Sequence, residues 1–177
     1  MAQYDLKNSD IIKGGHLMIL VDDGGVKKPI AFATSHSLSK TLNTNEIATK
    51  DHGDYAAVLP QTISWEASTE NLYAVGSTGC PGYKKLNEIF NKRKDVEIYF
   101  GETTYGVTGI EYITQPSIVG VTGADNWTQM PNGFGEKGKA LITSLQVTAG
   151  AGDNATFTAT FTGSGDLNVV TTTPEGE

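Results

Sequence analysis

Cysteine is almost missing from this chain. Its 177 residues include one, Cys80, so no internal disulfide can form and an oxidatively stapled secreted scaffold is excluded. Long apolar runs are missing as well. None exceeds that of Leu17 to Val21, far short of the ~20 residues that a helix needs to cross a bilayer. Positive charge is scarce: 13 Lys and Arg face 20 Asp and Glu, which gives a net charge of −7. A fixed basic footprint for gripping nucleic acid is therefore not expected. Met1 to Asp10 has no basic segment leading into an apolar one, so no secretory signal is expected either. The expectation is a soluble, acidic protein of about one domain, long enough to bury a core without disulfides or metal.

What is abundant is threonine and glycine, with 22 and 21 copies. The branched Cβ of threonine fits the pleated surface of a half-exposed strand, and glycine supplies the positive φ that tight turns demand. A mostly β fold follows.

Leu17 to Val21 reads as a short buried strand. Asp22-Asp23-Gly24-Gly25 follows as a hairpin turn, and Pro29 to Thr34 as the return strand. Residues 35–44 then alternate. Ser35, Ser37, Ser39, Thr41 and Asn43 fall on one face, and His36, Leu38, Lys40 and Leu42 on the other. After a polar stretch carrying Asp51, His52 and Asp54, alternation resumes over 62–73, with Ile63, Trp65 and Ala67 opposed to Ser64, Glu66, Ser68 and Glu70. Two long alternating segments around a polar loop predict an extended hairpin over about 33–73 with one wet face. Tyr83, Leu86, Ile89 and Phe90 recur at helical spacing, which predicts one amphipathic helix over 83–94. Its apolar stripe is expected to receive Trp65 and Phe32, against Leu86 and Phe90. The basic run Lys92-Arg93-Lys94 complements the helix dipole at its last turn. Val96 to Phe100 is a strand. Residues 102–136 are turn-rich, and 140–148 and 155–162 are strands. From 163 onward the core pattern is lost, and a mobile tail is expected.

Several patterns that mimic chemistry fail on context. Gly133-Phe-Gly-Glu-Lys-Gly-Lys139 matches a glycine-rich phosphate loop, but a β-patterned segment follows where a helix is required, and Ala140 stands where a magnesium hydroxyl belongs. It is expected to be a glycine-rich turn. His16, His36 and His52 have no metal-ligand spacing, and His36 reads as a core-edge or hydrogen-bonding histidine. Cys80 has no recognisable partner and reads as inert. The aspartates at 22–23 and 51–54 suit turns. No catalytic, cofactor or metal site is expected, and the protein is not read as an enzyme.

The ordered set of segments resembles one family. The run His16 to Lys50, with Ala31-Phe-Ala-Thr-Ser-His-Ser-Leu38 at its centre, resembles the opening of phage major tail tube proteins. Thr62-Ile-Ser-Trp-Glu-Ala-Ser-Thr-Glu-Asn-Leu-Tyr73 continues the likeness, and Gly138 to Leu145 and Asn154 to Gly163 complete it. These pieces cover somewhat more than half of the chain, in order. The resemblance implies a mostly β, sandwich or barrel-like subunit with one helix, whose long hairpin joins a ring-shaped β-barrel. Residues 1–163 would form a single domain, with 102–136 as a possible elaboration and 164–177 as a flexible tail.

The function implied is structural: a subunit of stacked hexameric rings that form the tube through which DNA passes to the host. Its partners would be further copies of itself, other tail proteins such as a tape measure, terminator or sheath, and DNA in transit, with no membrane and no cofactor. Its place would be the virion tail, assembled in the host cytoplasm. Ser37, Ser39, Thr41, Ser64, Glu66, Ser68 and Glu70 would line the lumen. Asn45, Glu46, Lys50, Asp51, His52 and Asp54 would form an inter-ring loop. Alternative readings are the inner tube of a contractile injection system, which shares the ring architecture, and a β-sandwich binding module, which would need an exposed aromatic platform.

Overall fold

The computed structural model describes residue 14 and residues 17–22, 27–47, 57–74, 80–105, 127–129 and 135–170. The elements are β1 (Leu17–Asp22), β2 (Lys27–Pro29), β3 (Ala33–Ile47), β4 (Ala57–Leu72), α1 (Tyr83–Lys92), β5 (Val96–Tyr105), β6 (Trp127–Gln129), β7 (Gly135–Thr148) and β8 (Thr156–Val169). Seven strands form one antiparallel sheet in the order β2-β1-β5-β7-β8-β4-β3, and β6 pairs with the end of β5. Among the described residues the sheet does not close into a barrel, so β2 and β3 are its two edges.

The long hairpin is present and longer than alternation predicts: β3 and β4 pair from Ala33↔Asn71 to Ile47↔Ala57. Register shifts interrupt the ladder near Ser35 and between Leu42 and Thr44, and such bulges bend and twist a strand. The turn before β3 places Phe32 at φ 56°, anchored by Leu72 N–H donating to the Phe32 carbonyl at 3.0 Å and Ala31 N–H to Pro81 at 3.0 Å.

The core collects Ile19, Val21, Ile30, Ala67, Ile98, Ala140, Ile142, Phe157, Ala159 and Phe161, with Trp65 and Leu86 in the same cluster. Helix α1 covers this core through buried Leu86, with Tyr83 and Ile89 packed beside it. The helix starts after Pro81-Gly82, where Leu86 N–H donates to the Gly82 carbonyl at 3.1 Å. It ends two residues earlier than the periodicity predicts, because Arg93 turns left-handed (φ 51°) and caps back to the Phe90 carbonyl. Tyr73, Tyr83 and Phe157 form an aromatic cluster, with ring centroids 5.2 to 6.5 Å apart.

Three expectations need correction. Trp65 is buried, but its indole lies on the backbone of Gly138 and Gly163, where a Cβ would collide with it. Phe90 stays 38 % exposed and Phe32 occupies the turn, so the expected four-residue stack does not form. From Gly135 on, the glycine-rich run is strand β7 and not a turn: Gly135 admits the Tyr99 ring and Gly138 the Trp65 ring against the backbone. Residues 164–169, expected to belong to a mobile tail, continue β8 to Val169, and Val170 N–H donates to the Gly135 carbonyl at 2.7 Å; residues 171–177 lie outside the described residues. Of residues 102–136, read as turn-rich, 106–126 and 130–134 lie outside the described residues.

Candidate functional site: a hydroxyl-lined sheet face

The four longest strands, β7, β8, β4 and β3, are neighbours in the sheet. In an antiparallel ladder, paired residues point to the same face, and the face alternates along each strand. Pairing Ser37↔Ser68, Ser39↔Glu66 and Thr41↔Ser64 therefore puts all seven residues expected to line a lumen on one face. The pairs Glu66↔Thr162, Ser68↔Thr160 and Glu70↔Thr158 carry that face onto β8. Ser144↔Thr160 and Gln146↔Thr158 carry it onto β7. Six of the seven are exposed, and Ser68 is half-buried. The reverse face is the core, with Trp65, Ala67, Phe157, Ala159, Phe161 and Ile142 buried on it.

The hydroxyls on the polar face bond to one another. Ser37 Oγ is 2.7 Å from Ser68 Oγ, and Thr143 Oγ1 is 2.8 Å from Thr162 Oγ1. Thr34 Oγ1 donates to the Glu70 carbonyl at 3.0 Å, and Asn43 Nδ2 to Thr62 Oγ1 at 3.2 Å. Such cross-strand pairs stabilise the sheet, and they occupy donors that would otherwise seek an outside acceptor. Sequence reasoning found the β3 and β4 rows and missed the β7 and β8 rows. Thr156, Thr158, Thr160 and Thr162 are visible as an alternating row, but only the ladder says that they extend the same face.

Behind this face lies a polar island. His36 pairs across the ladder with Thr69, which is buried together with Asn71. Thr69 Oγ1 donates to Asn71 Oδ1 at 3.0 Å. Neither ring nitrogen of His36 has a hydrogen-bond partner, and burial lowers its pKa to about 4. It is therefore a neutral core-edge histidine, without the hydrogen bond that was the other expectation. Lys40 reaches from β3 to the Glu136 carboxylate at the start of β7, a buried acid beside a half-exposed lysine. Because β8 and β4 lie between them in the sheet, this ion pair requires the sheet to be rolled around its core face.

Of the residues expected in an inter-ring loop, Asn45 and Glu46 belong to β3 and pair with Leu59 and Val58. Lys50, Asp51, His52 and Asp54 lie outside the described residues, as does His16. The hairpin's outer part carries exposed apolar side chains: Leu42 is 50 % exposed, Val58 57 % and Ile63 69 %. Leu42 and Ile63 pair with each other on the core face, beyond the point where the chain's own core can cover them. Cys80 is half-buried; burial pushes its thiol pKa up, against the pull of Lys28. Among the described residues, no group of three or more His, Cys, Asp or Glu is placed to hold a metal, and no helix is long and apolar enough to cross a membrane.

No protein-family model matches the sequence, and no curated protein matches it. Solved structures do match the fold. A chain from the tail of an empty gene transfer agent particle, refined with C6 symmetry, superposes with a TM-score of 0.64 at 16 % identity, over 90 % of this chain and 99 % of that one. A chain of the SPP1 tail tube gives 0.59 at 11 % identity, over 90 % and 78 %. A chain of the anti-feeding prophage baseplate, six-fold symmetrised, gives 0.53 at 12 % identity, over 88 % and 91 %. The fold is the one shared by these tail and baseplate chains.

Proposed function

We propose that this protein is a structural subunit of a phage-type tail tube, in which six copies close into a ring and rings stack around a channel for DNA. One observation carries the reading. The four-stranded run β7-β8-β4-β3 has one hydroxyl-lined face, one core face, and two open edges. Among the described residues, no strand pairs with the outer edge of β3, and β5 accompanies β7 only from Gly135 to Ala140, leaving the β7 edge open over 141–148. Open edges are normally shortened, charged or covered, because their backbone groups recruit other strands. Pairing β3 of one copy with the 141–148 edge of the next satisfies both edges at once.

The same pairing continues the hydroxyl face around the ring as a lumen lining, with Ser37, Ser39, Thr41, Ser64, Glu66, Ser68 and Glu70 in it. It also gives exposed Leu42 and Ile63 a neighbouring core to cover them, at the end where Leu145 and Val147 leave their own core partly open. Six-fold closure is taken from the symmetry of the gene transfer agent tail and the baseplate that share the fold. The segment around Lys50, Asp51, His52 and Asp54, at the hairpin tip, would reach the next ring. Residues 1–163 act as one domain, whose last strand runs on to Val169, and the partners are further copies and the proteins that end, measure or sheathe the tail. The protein's place is the virion tail, after assembly in the host cytoplasm. It has no catalytic role. The baseplate likeness also supports a second reading, the inner tube of a contractile injection system, which differs in cargo and not in subunit geometry.

Electron microscopy of the purified protein should show stacked six-fold rings. A cysteine scan tests the edge pairing. With Cys80→Ala as background, Ser39→Cys is combined with single cysteines from Ile142 to Val147. Oxidation should give a ladder of cross-linked oligomers at alternate β7 positions, following the period of a strand. No cross-link at any position in assembled tubes would reject this edge pairing.

A further inference from the structure

Two lysines lie on the hydroxyl face, where a polyanion would meet them. Lys137 and Lys139 flank Gly138 on β7, and Gly138 and Ala140 pair with the core residues Ile98 and Val96. Alternation therefore turns both lysines to the side opposite the core, the side that Thr160 and Thr162 occupy farther along the β7–β8 ladder and on which Tyr99, the partner of Lys137, is buried beside Leu20. In a lining that must let DNA slide they have the wrong sign, and ring symmetry would repeat them in every subunit. Phosphate binding by free ammonium groups is driven by counterion release, so a repeated row of unpaired lysines would act as a brake.

Lys137 is not unpaired. Its Nζ lies 2.8 Å from Glu97 Oε1, with the lysine side chain 41 % exposed and the glutamate 30 %. Glu97 comes from β5, directly across the ladder from Lys139, so one carboxylate sits diagonally beside one lysine and opposite the other. A shallow cavity of about 340 Å³ brings Glu97, Lys137, Lys139, Ser164, Asp166 and Asn168 together. Two cations and two carboxylates share it. A solvent-exposed ion pair of this kind adds little to stability, so folding does not account for the arrangement.

We propose that Glu97 is a masking residue. It holds the charge of Lys137 against the protein and faces exposed Lys139 across the ladder, with Asp166 lining the same groove, so that DNA phosphate meets these two cations only beside carboxylates. The proposal rests on the reading of the hydroxyl face as the channel lining. A phosphate can take the ammonium only by displacing the carboxylate, which removes the gain from counterion release.

The test uses assembled tubes, checked by electron microscopy, and short fluorescent duplex DNA co-pelleted with them over a range of salt. Wild-type tubes should retain little DNA. Glu97→Gln tubes should retain at least tenfold more at low salt. About six unmasked phosphate contacts would lose roughly a thousandfold in affinity between about 50 and 200 mM salt, so retention should vanish over that range. Glu97→Gln/Lys137→Gln tubes should return to the wild-type value, and Glu97→Ala should behave as Glu97→Gln does. Glu88→Gln, on the exposed side of the helix, removes the same charge outside the channel and should change nothing. Glu66→Lys places a new cation on the lining and tests the channel reading itself. If Glu66→Lys tubes retain DNA and Glu97→Gln tubes do not, the mask is wrong and the lining stands. If neither retains DNA, the lining assignment falls and the mask with it. Equal retention by Glu97→Gln and Glu88→Gln would reduce the effect to net charge and overturn the proposal.

Discussion

Trp65 lies on Gly163 so closely that a single added methyl group would overlap the indole ring. The indole N–H then donates to the Gly165 carbonyl at 2.9 Å, just beyond the glycine that the ring covers. This contact ties the hairpin to β8. Trp65 belongs to β4, and the strand it grips bends away after Gly163, where β8 stops pairing with β4. Gly165 has φ 97°, a conformation that side chains rarely adopt.

Gly163→Ala should therefore cost about 1–3 kcal/mol through overpacking, and Trp65→Ala about 3–5 kcal/mol through the cavity it leaves. Combined, they should cost clearly less than their sum, because the residues share one contact. Urea denaturation of the four proteins measures the coupling. Strict additivity would mean that the ring and the glycine do not press on each other.

The Lys40–Glu136 pair should respond unequally to its two deletions. Lys40→Ala leaves a carboxylate buried without a counterion, whereas Glu136→Gln leaves a half-exposed lysine that water can solvate. Denaturation at pH 7 should find Lys40→Ala the more destabilised, by about 1–3 kcal/mol. The reverse order would mean that the acid is solvated in the folded protein.

His36 should make stability sensitive to pH. Its folded pKa, about 4, lies below the ordinary value of 6.5 because burial disfavours the charged ring. The unfolded chain therefore binds the proton first. The contribution is complete above about pH 6.5 and is lost progressively as pH falls towards 4, up to about 3 kcal/mol in all. His36→Leu removes the titration. The difference in stability between wild type and His36→Leu should change between pH 6.5 and 4.5, and a constant difference would show that the ring is solvated. Comparing the two proteins cancels the carboxylates that titrate near the same range.

The hairpin tip should matter for stacking and not for folding. Replacing residues 48–56 by a two-residue Asn-Gly turn leaves both strands of the ladder in place, and thermal unfolding should stay close to that of the wild type. Tubes should fail to form. Tubes of ordinary length from this replacement would remove the tip from the ring-to-ring contact.

Much of the fold was legible in the chain. Alternation in 35–42 and 62–73 set which side of the hairpin is wet, because a strand's side chains point to opposite faces in turn. The spacing of Tyr83, Leu86 and Ile89 set the apolar stripe of the helix, because 3.6 residues make a turn. The run of matching segments pointed to the tail tube fold.

Tertiary structure alone decided the rest. Glu97 and Lys137 are forty residues apart in sequence, and only the β5–β7 register makes them a pair. The threonines of β8 became part of the hairpin's polar face through the β4–β8 ladder, since a one-residue slip would have turned them to the core. The glycine-rich run read as a turn because glycine marks turns locally. From Gly135 on it is a strand, paired with β5 and β8, whose bare backbone lies beneath the rings of Trp65 and Tyr99, and no local pattern encodes a ring arriving from β4 or β5. Sequence periodicity carries the direction in which a side chain points; what it meets there is set by chain segments far away, through register and close packing.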